Sequence, residues 1–360
     1  MKQKKELFNK VLNLSTFFVL FLILFLIFEV SGNNELKKSI LGQTTQRIQK
    51  SIKILPSLSI NKLKSQNNQI HIMFFGDLIY DRSVYLKLTG EQQLSGHFNY
   101  RHNQIILFHG LETTFSKLSK DFDFVIFNME GPIGKYYETD KNGRRIKVRK
   151  CSAPYKSISF CSYSHILPFM KSLGFNAVNL ANNHVMDGGI PGHLETIKQL
   201  EKNQINYFGY IYGGRNFQRN YILTGQKDDI KYARHGYDYS VYYFLEDKYC
   251  KTLKDYKKNG YTNFVSVHRG AEYKPIHSDS QENIAKFLIK CGADLIVGHH
   301  PHVIQDSQIY SGINVIYSLG NFLFDQYFSE PTKIGGYALI DFKLNQKTSI
   351  AKGTIDAYAN

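Results

Sequence analysis

The sequence predicts a layered α/β domain that follows a single N-terminal transmembrane helix. Two observations predict the domain: short apolar runs that each end in a polar or glycine-rich turn, and helix-like stretches between several of these runs. A long uncharged apolar segment near the N-terminus predicts the membrane helix. The chain has 360 residues, 42% of them hydrophobic and 21% charged, which allows one sizeable α/β domain or two small ones.

The predicted membrane helix covers residues 11–28, a segment without any charged side chain. A helix of this length extends roughly 27 Å, close to the thickness of the hydrocarbon layer of a bilayer. Lysines precede it, and positive residues keep that end cytoplasmic, so the main domain is expected outside the cell membrane. A cleaved signal peptide is the competing interpretation, because residues 30–32 resemble a cleavage site, but the apolar run is longer than the usual signal core.

Composition divides the chain into five segments. Residues 31–69 are rich in Asn, Gln, Lys and Ser, which predicts a stalk between the membrane and the domain. The predicted segments are a cytoplasmic N-terminus at 1–10, a transmembrane anchor at 11–30, the juxtamembrane stalk at 31–69, the α/β domain at 70–345 and a C-terminal tail at 346–360.

Within the domain, six apolar runs have the length and composition of strands buried on both faces. They cover residues 70–75, 122–127, 177–181, 264–267, 295–297 and 315–319. Helices are predicted at 165–173, 192–203 and 280–290. The basic stretch 135–150 is predicted to be a long surface loop, and neither helix nor strand is assigned within 207–258.

Polar side chains that can bind ligands follow the ends of these strands. Because ligands of open α/β sheets gather beyond the carboxyl ends of the strands, we expect these side chains to form one site. They are Asp77, Glu130, Asn183, His184, His268, His299 and His302. Carboxylate, carboxamide and imidazole groups together suit Mn, Fe or Zn, and two such ions about 3.5–4 Å apart can hold a hydroxide between them.

Each of these residues also has a purely structural explanation. An aspartate that follows a glycine, such as Asp77, is usually a turn or helix cap, and Asn183 fits a turn in which its side chain bonds the backbone. A single histidine near a strand end is more often a hydrogen-bonded structural residue than a ligand. Three imidazoles within four positions, at His299, His300 and His302, are hard to explain by packing and favour contact with a metal or a phosphate.

The net charge of +15 favours an anionic partner, such as nucleic acid, lipid head groups or a polyanionic polymer. Nucleic acid is excluded as the expected partner, because the chain has neither zinc-finger spacing nor an aromatic-basic RNA-binding motif. The four cysteines allow three pairings in an oxidising compartment. Cys151 and Cys161 are the favoured pair because they are close in sequence, and four free buried thiols are the alternative.

Six segments of the chain, in order, resemble the motifs of the CapA family of capsule (poly-gamma-glutamate) synthesis proteins. They lie at 75–82, 123–133, 179–184, 267–273, 292–305 and 317–322. The third segment reads Asn-Leu-Ala-Asn-Asn-His and is followed by Asp187 and Gly189, as is usual in that family. The resemblance covers residues 70 to 328, and the motifs together are highly specific.

The resemblance implies a calcineurin-like metallophosphatase fold, a layered β-sandwich flanked by helices. It implies a role in assembling, anchoring or exporting an anionic capsule polymer together with other membrane components of capsule synthesis. It also implies a site for one or two divalent ions (Mn, Fe or Zn), with the ligands Asp77, Glu130, Asn183, His268, His299 and His302. By the same resemblance, His184 would be the catalytic acid that stabilises a developing oxyanion. Residues of these motifs expected to bind the substrate are Arg82, Arg269 and Asn321.

The chain departs from the metallophosphatase pattern in its first motif. Metallophosphatases open with Asp-x-His, but Ile79 stands where that histidine would be, so one ligand is missing. Arg269 replaces a tryptophan that is usual in the CapA family and adds charge beside the pocket. Among the clustered histidines, His299 and His302 are expected to be ligands ahead of His300, an order that the geometry of the turn can reverse.

Three functions agree with these observations. The first is an accessory protein of capsule polymer synthesis or export that keeps metal-dependent hydrolase or transferase chemistry. The second is a metal-dependent phosphoesterase that acts on a phosphorylated substrate at the cell surface. The third is a non-catalytic protein that uses the site only to bind a polyanion.

Overall fold

The apolar runs of the sequence form two β-sheets that pack face to face, with helices against their outer faces. In this computed structural model the residues described are 68–80, 119–134, 137–139, 142, 144–147, 159–164, 166–242, 245–326, 328–344, 346 and 348–356. All of them belong to one compact unit of the chain.

The strands of the described residues are short, as the lengths of the apolar runs predict. They are β1 Gln69–Leu78, β2 Phe124–Met129, β3 Ile133–Gly134, β4 Tyr137–Thr139, β5 Arg145–Lys147, β6 Ser162–Tyr163, β7 Ala177–Asn179, β8 Asn206–Tyr212, β9 Gln218–Tyr221, β10 Leu223–Lys227, β11 Ile230–Asp238, β12 Thr262–His268, β13 Ala293–His299, β14 Ser307–Tyr310, β15 Ile313–Ile316, β16 Asn321–Leu323, β17 Ile334–Lys343 and β18 Ser349–Asp356. The α-helices are α1 Ile166–Ser172, α2 Gly189–Lys202, α3 Glu246–Lys258 and α4 Asp279–Lys290, and short 3-10 helices occupy Ser119–Asp121 and Glu330–Lys333.

Parallel strands form the centre of both sheets. The first sheet has the order β18-β17-β1-β2-β7-β8-β9, with β16 also paired to β1. The second has the order β10-β11-β12-β13-β15-β14. In the first sheet β1, β2, β7 and β8 run parallel, and in the second β11, β12, β13 and β15 do. Parallel neighbours place their carboxyl ends at the same edge of each sheet, which is what brings the site residues together.

The two sheets share one apolar core. From the first sheet, alternate residues of β1 enter it, for example Ile72 and Phe74, and from the second sheet Phe264 and Leu295 face them. Every residue of β1 is buried, which explains why residues 72–75 are apolar without alternation. Burial of each such large side chain stabilises the fold by about 1.5–3 kcal/mol.

Helices cover the outer faces of the sandwich. Helices α3 and α4 pack on β12 and β13 through a second apolar cluster that includes Tyr249 and Leu288. Helix α4 begins with a reciprocal cap in which the Ser278 hydroxyl accepts from the Gln281 N–H and the Gln281 side chain accepts from the Ser278 N–H. On the outer face of the first sheet, Phe175, which follows α1, packs against the rings of Phe75 and Phe127.

The mixed α/β prediction is confirmed, as are the six strands and three helices assigned from sequence. The segment 207–258, to which no element was assigned, contains β8 to β11 and helix α3. The predicted loop 135–150 contains a hairpin of β4 and β5. The domain also extends past residue 345, because β18 of the predicted tail pairs antiparallel with β17 along its length.

Disulfides join parts of the described chain, and none of the cysteines in it is free. Cys250 in α3 is bonded to Cys291 at the end of α4, with a sequence separation of 41. Cys161 is also disulfide-bonded. Its favoured partner from sequence, Cys151, lies outside the described residues. The alternative of four free thiols is therefore wrong, and an oxidising compartment agrees with these bonds.

The predicted transmembrane anchor at 11–30 lies outside the described residues. Where the structure describes the chain, it contains no helix with both the length and the apolar character needed to cross a membrane.

Candidate metal centre

Strand ends from both sheets meet at one edge of the sandwich. In the first sheet Asp77 of β1 is paired with Asn128 of β2, and in the second His268 and His299 end neighbouring strands. All four residues are buried. The Asn128 side chain connects the sheets: its Nδ2 donates to Asp77 Oδ1 at 2.8 Å and lies 3.4 Å from His268 Nδ1.

Asp77 is fully buried and surrounded by polar hydrogens. The His300 backbone N–H donates to its Oδ2 at 3.2 Å, and Nδ1 of His302 lies 3.5 Å from the same oxygen. Burial acts to raise the pKa of Asp77, but His299, His302 and Asn128 together hold that pKa below its ordinary value. Asp77 is therefore a carboxylate anion at neutral pH.

Glu130 follows β2 and is fully buried, yet neither of its carboxylate oxygens has a hydrogen-bond partner among the described residues. Nε2 of His302 lies 3.6 Å and Nε2 of His268 lies 3.8 Å from Glu130 Oε1. Burial, reinforced by the negative charge of Asp77, raises the pKa of Glu130 well above its ordinary value. Because a buried carboxylate without a partner costs several kcal/mol, these two oxygens fit a bound cation.

His268 lies between the asparagine segment and the histidine turn. Its Nε2 is 2.8 Å from Asn183 Oδ1 and 3.1 Å from His300 Nδ1. Burial, with the neighbouring imidazoles second, lowers the pKa of His268 well below its ordinary value. Burial likewise lowers the pKa of His300 to about 4. Both rings are therefore neutral at pH 7, the form in which imidazole binds metals.

The turn after β13, residues 299–302, has an unusual backbone. His300 has φ of 99° and His302 has φ of 59°, positive values that are uncommon outside glycine, although Asn, Asp and His adopt them more often than other residues. This conformation directs both rings into the site on either side of Pro301. Such strain is typical of functional sites, where the surrounding structure imposes it.

Two groups of potential metal ligands share Glu130. Glu130, His268 and His300 each offer one ligand atom, and these atoms lie within 4.8 Å of one another. The same holds for Asp77, Glu130 and His302. Carboxylate oxygen and imidazole nitrogen ligands suit Mn, Fe or Zn.

Of the six predicted ligands, Asp77, Glu130, His268 and His302 belong to these groups. Asn183 contacts His268 through its side-chain oxygen. His299 belongs to neither group, and neither of its ring nitrogens has a hydrogen-bond partner among the described residues, although Nδ1 lies 3.4 Å from Asp77 Oδ1. The sequence favoured His299 over His300 as a ligand, but in the structure it is His300 that belongs to a ligand group with Glu130 and His268. The available signal was the place of His300 within the same cluster of three histidines.

The predicted substrate-binding residues have different contacts in the structure. The Arg269 guanidinium donates to the Tyr239 carbonyl oxygen and to the Ser280 hydroxyl, so it is engaged at the start of α4. Asn321 Oδ1 lies 2.9 Å from Nδ1 of His302, and its Nδ2 donates to the Thr332 carbonyl oxygen at 2.9 Å. Asn321 thus orients a metal-ligand candidate. Arg82 lies outside the described residues.

His184 lies beside these groups on the loop after β7. Its ring packs against that of Phe160, with 4.1 Å between the centroids. The buried carboxylate of Asp187 contacts its Nδ1 and also accepts from the Phe160 backbone N–H at 2.8 Å. Asp187 follows the third sequence motif, but its contact with His184 was not predicted. The hydrogen bonds by which Asn128 connects the two sheets were not predicted either.

The family model of the bacterial capsule synthesis protein PGA_cap matches residues 71–326. The chain belongs to this family. Every described residue of the candidate metal centre lies within the matched range. The expected resemblance to capsule synthesis proteins is thereby confirmed.

Two relatives have names that refer to capsule or PGA biosynthesis. The chain is 31% identical over 283 residues to "Capsule biosynthesis protein CapA" of Bacillus anthracis, a match that covers 72% of this chain and 61% of that protein. It is 27% identical over 299 residues to "PGA biosynthesis protein CapA" of Bacillus subtilis (strain 168), covering 79% of this chain and 70% of that protein. The match thus spans less than two thirds of the length of the first of these relatives.

Among solved structures, the chain is similar to a hypothetical protein from Thermus thermophilus, with a TM-score of 0.45 and 12% identity. The likeness covers 80% of this chain and 99% of that protein, and at this level it carries no argument about function.

Proposed function

We propose that this chain is a membrane-anchored accessory protein of capsule polymer synthesis, anchoring or export, with a metallophosphatase-like site that binds one or two divalent ions of Mn, Fe or Zn. The polymer proposed is an anionic one, poly-gamma-glutamate, as the PGA in the name of one relative suggests. The fold proposed for the domain is the calcineurin-like metallophosphatase fold, which agrees with two face-to-face sheets flanked by helices.

One observation carries the metal part of this proposal. Glu130 is fully buried and both of its carboxylate oxygens lack a hydrogen-bond partner among the described residues. The imidazoles of His268, His300 and His302 surround it, and those of His268 and His300 are neutral at pH 7. Because burial of an unpaired charge is costly, a site that keeps this arrangement is best explained by a cation that belongs there.

A bound divalent ion supplies Lewis acidity and lowers the pKa of a water molecule that it binds. The residues of the chain supply the rest. Asp77, Glu130, His268, His300 and His302 would hold the ion, while Asn321 fixes the ring of His302 through its Nδ1. The contact of Asp187 with Nδ1 of His184 fixes that ring too, and His184 would be the acid of the site.

The proposed location is the cell membrane, with a cytoplasmic N-terminus, a single span at 11–30 and the domain outside. The lysines before the apolar segment support this orientation, and the disulfides of the domain support an oxidising environment. In that location the protein would act beside other membrane components of capsule synthesis. A reporter enzyme that works only in the cytoplasm should be inactive when it is fused after Asn360. Activity of that reporter would contradict this topology.

The test of the metal site is elemental analysis of the purified full-length chain and of two histidine variants. His268→Ala should lower the metal content while leaving the circular dichroism spectrum unchanged. His277→Ala is the matched control, because His277 contacts Asp306 and belongs to none of the ligand groups. If the wild-type chain contains no metal and takes none up at millimolar concentration, the metal-dependent function is excluded.

Activity and binding assays on the same preparations distinguish the proposed function from its two alternatives. Hydrolysis or transfer on polyglutamate supports the capsule-polymer proposal, and hydrolysis of phosphoesters supports the alternative of a phosphoesterase that acts at the cell surface. Polymer binding without turnover of either substrate supports the non-catalytic alternative.

A further inference from the structure

A third carboxylate lies at the solvent side of the metal centre. Glu272, in the loop between β12 and α4, is exposed, whereas Asp77 and Glu130 are fully buried. A carboxylate oxygen of Glu272 and ring nitrogens of His300 and His302 lie within 4.8 Å of one another. The centre therefore has carboxylates on two sides, one side buried and one open to solvent.

We propose that Glu272 is an outer ligand of the metal centre, which holds the cation from the solvent side and gives way to an anionic group of the substrate. This inference rests on the proposed metal-binding function. It assigns a role to a residue that neither ligand group sharing Glu130 contains.

The backbone of the loop holds Glu272 in this position. The Arg269 N–H donates to the His299 carbonyl oxygen at 3.0 Å, and the Tyr273 N–H donates to the Pro301 carbonyl oxygen at 2.8 Å. The loop that carries Glu272 is thus attached on both sides to the histidine turn. Tyr273 has φ of 63°, a left-handed conformation that an ordinary surface loop would not require of a tyrosine.

Side chains support the same arrangement. The Tyr273 ring stacks on that of His302, with 6.1 Å between centroids and 24° between planes. Its hydroxyl accepts from Gln326 at 3.1 Å, and Gln281 donates to the Arg269 carbonyl oxygen at 3.3 Å. A loop fixed by this many contacts places a carboxylate with the precision that a ligand position requires.

Exposure is what distinguishes Glu272 from the buried ligands. A carboxylate with access to water leaves a metal ion at lower cost than one held in the interior, so Glu272 is the ligand that an incoming carboxylate or phosphate can replace.

The experiment is a calorimetric titration of Mn²⁺ into the metal-free full-length chain and its Glu272→Gln variant. Glutamine keeps the size of the side chain and removes its charge, and because the position is exposed the fold should be kept, which circular dichroism checks directly. We expect the Kd for Mn²⁺ to rise by at least about 10-fold, because substitution of residues that surround a metal site typically lowers metal affinity about 10–100-fold. Glu201→Gln is the matched control, because Glu201 is an exposed residue at the end of α2 that hydrogen-bonds Tyr207.

A second measurement tests replacement by an anion. At saturating Mn²⁺, inorganic phosphate should bind the Glu272→Gln variant more tightly than the wild type, because the competing carboxylate is gone. Equal Mn²⁺ affinities of Glu272→Gln and wild type would overturn this inference and leave the proposed function intact. A wild-type chain that binds no Mn²⁺, Zn²⁺ or Fe²⁺ would overturn the proposed function, and this inference with it.

Discussion

Nδ1 of His184 lies 2.6 Å from Oδ2 of Asp187, and the aspartate is fully buried. Asp187 also accepts a hydrogen bond from the backbone N–H of Phe160, so the position of its carboxylate does not depend on His184 alone. A buried carboxylate at one nitrogen of an imidazole fixes the tautomer and stabilises the protonated ring. This contact therefore fixes the orientation of the His184 ring beside the candidate metal ligands.

This pair leads to the first prediction. His184→Ala should keep the metal content of the wild type but lower turnover by about 10²–10³-fold, the usual cost of removing one group that stabilises charge in the transition state. Metal content of the purified chain and capsule polymer on cells are the two measurements. His277→Ala again serves as the control, because it removes a histidine from another His–Asp pair, outside the site. Unchanged capsule output in His184→Ala would show that His184 is structural.

The second prediction concerns Gly298, which precedes the histidine turn. A Cβ at this position would lie 2.0 Å from the Tyr317 carbonyl oxygen, a backbone atom that cannot move aside without displacing β15 or the segment after it. Gly298→Ala should therefore destabilise the domain by more than about 2 kcal/mol and lower its metal content, since His299 to His302 would shift.

Urea denaturation and elemental analysis check this expectation. Gly192→Ala is the matched control: it lies inside α2, and its Cβ would meet only Pro132 at 3.8 Å, an ordinary contact. Alanine there should be neutral or stabilising. Equal stability of Gly298→Ala and wild type would mean that β13 and β15 are less closely packed than described.

Much of this site was predictable because its residues follow the ends of apolar runs. Buried parallel strands deliver their carboxyl ends to one edge, so Asp77, Glu130 and His268 could be assigned together from sequence alone. The choice between His299 and His300 could not, since both residues are histidines with the same conformational preferences and only the structure shows which of them has a positive φ. Local sequence is a weak guide where tertiary contacts impose the conformation.

The outer strands show the same limit for the fold. Strand β18 alternates exposed and half-buried residues over part of its length and, among the described strands, pairs with β17 alone, so its sequence lacks the continuous apolar run of β1. Strands of this kind are defined by their neighbours in the sheet, and the sequence pattern alone assigned the segment to a tail.

The third prediction concerns the disulfide between Cys250 and Cys291. Closing a loop with a sequence separation of 41 in the unfolded chain corresponds to about 4 kcal/mol in the chain-entropy description. The Cys250→Ala, Cys291→Ala double variant should therefore lose about 2–4 kcal/mol of unfolding free energy, measured by urea denaturation without reductant. The double variant isolates this bond, whereas a reductant would also break the bond of Cys161. A loss below about 1 kcal/mol would contradict the expectation.

The fourth prediction is a loss of stability in mild acid. Burial lowers the pKa of His193 and of His235 to about 4 each. In the unfolded chain these imidazoles titrate near pH 6.5, so between pH 6.5 and 4 the unfolded state binds more protons than the folded state. The free energy of unfolding should therefore fall as the pH drops through this window, by up to about 3 kcal/mol per histidine.

Urea denaturation of wild type and of His235→Gln at several pH values tests this sign. The variant is expected to be less stable at pH 7.5, because it loses the contact of Nε2 with Asn263 Oδ1 at 3.0 Å. Its stability should nevertheless depend less steeply on pH between 6.5 and 4. Parallel curves for the two proteins would exclude His235 as a source of the acid sensitivity.

The last prediction is that binding of poly-gamma-glutamate requires a divalent ion. The described groups that converge on the centre are the carboxylates of Asp77, Glu130 and Glu272 with imidazoles between them, and the Arg269 guanidinium is engaged with Tyr239 and Ser280. A polycarboxylate should be repelled by these carboxylates unless a cation is bound among them. Binding of labelled polymer to the full-length chain, measured by fluorescence anisotropy, should therefore disappear with chelator and return with Mn²⁺.

The basic surface provides the competing explanation and a separate test. Exposed charges are screened within about 8 Å at physiological salt, so polymer held by the basic stretch 135–150 would dissociate as salt rises, whether or not metal is present. In that case changing Arg144, Arg145, Lys147 and Arg149 to Ser would abolish binding, and His268→Ala would not. Metal-dependent binding requires the opposite result, in which His268→Ala abolishes binding and the basic-stretch variant only weakens it.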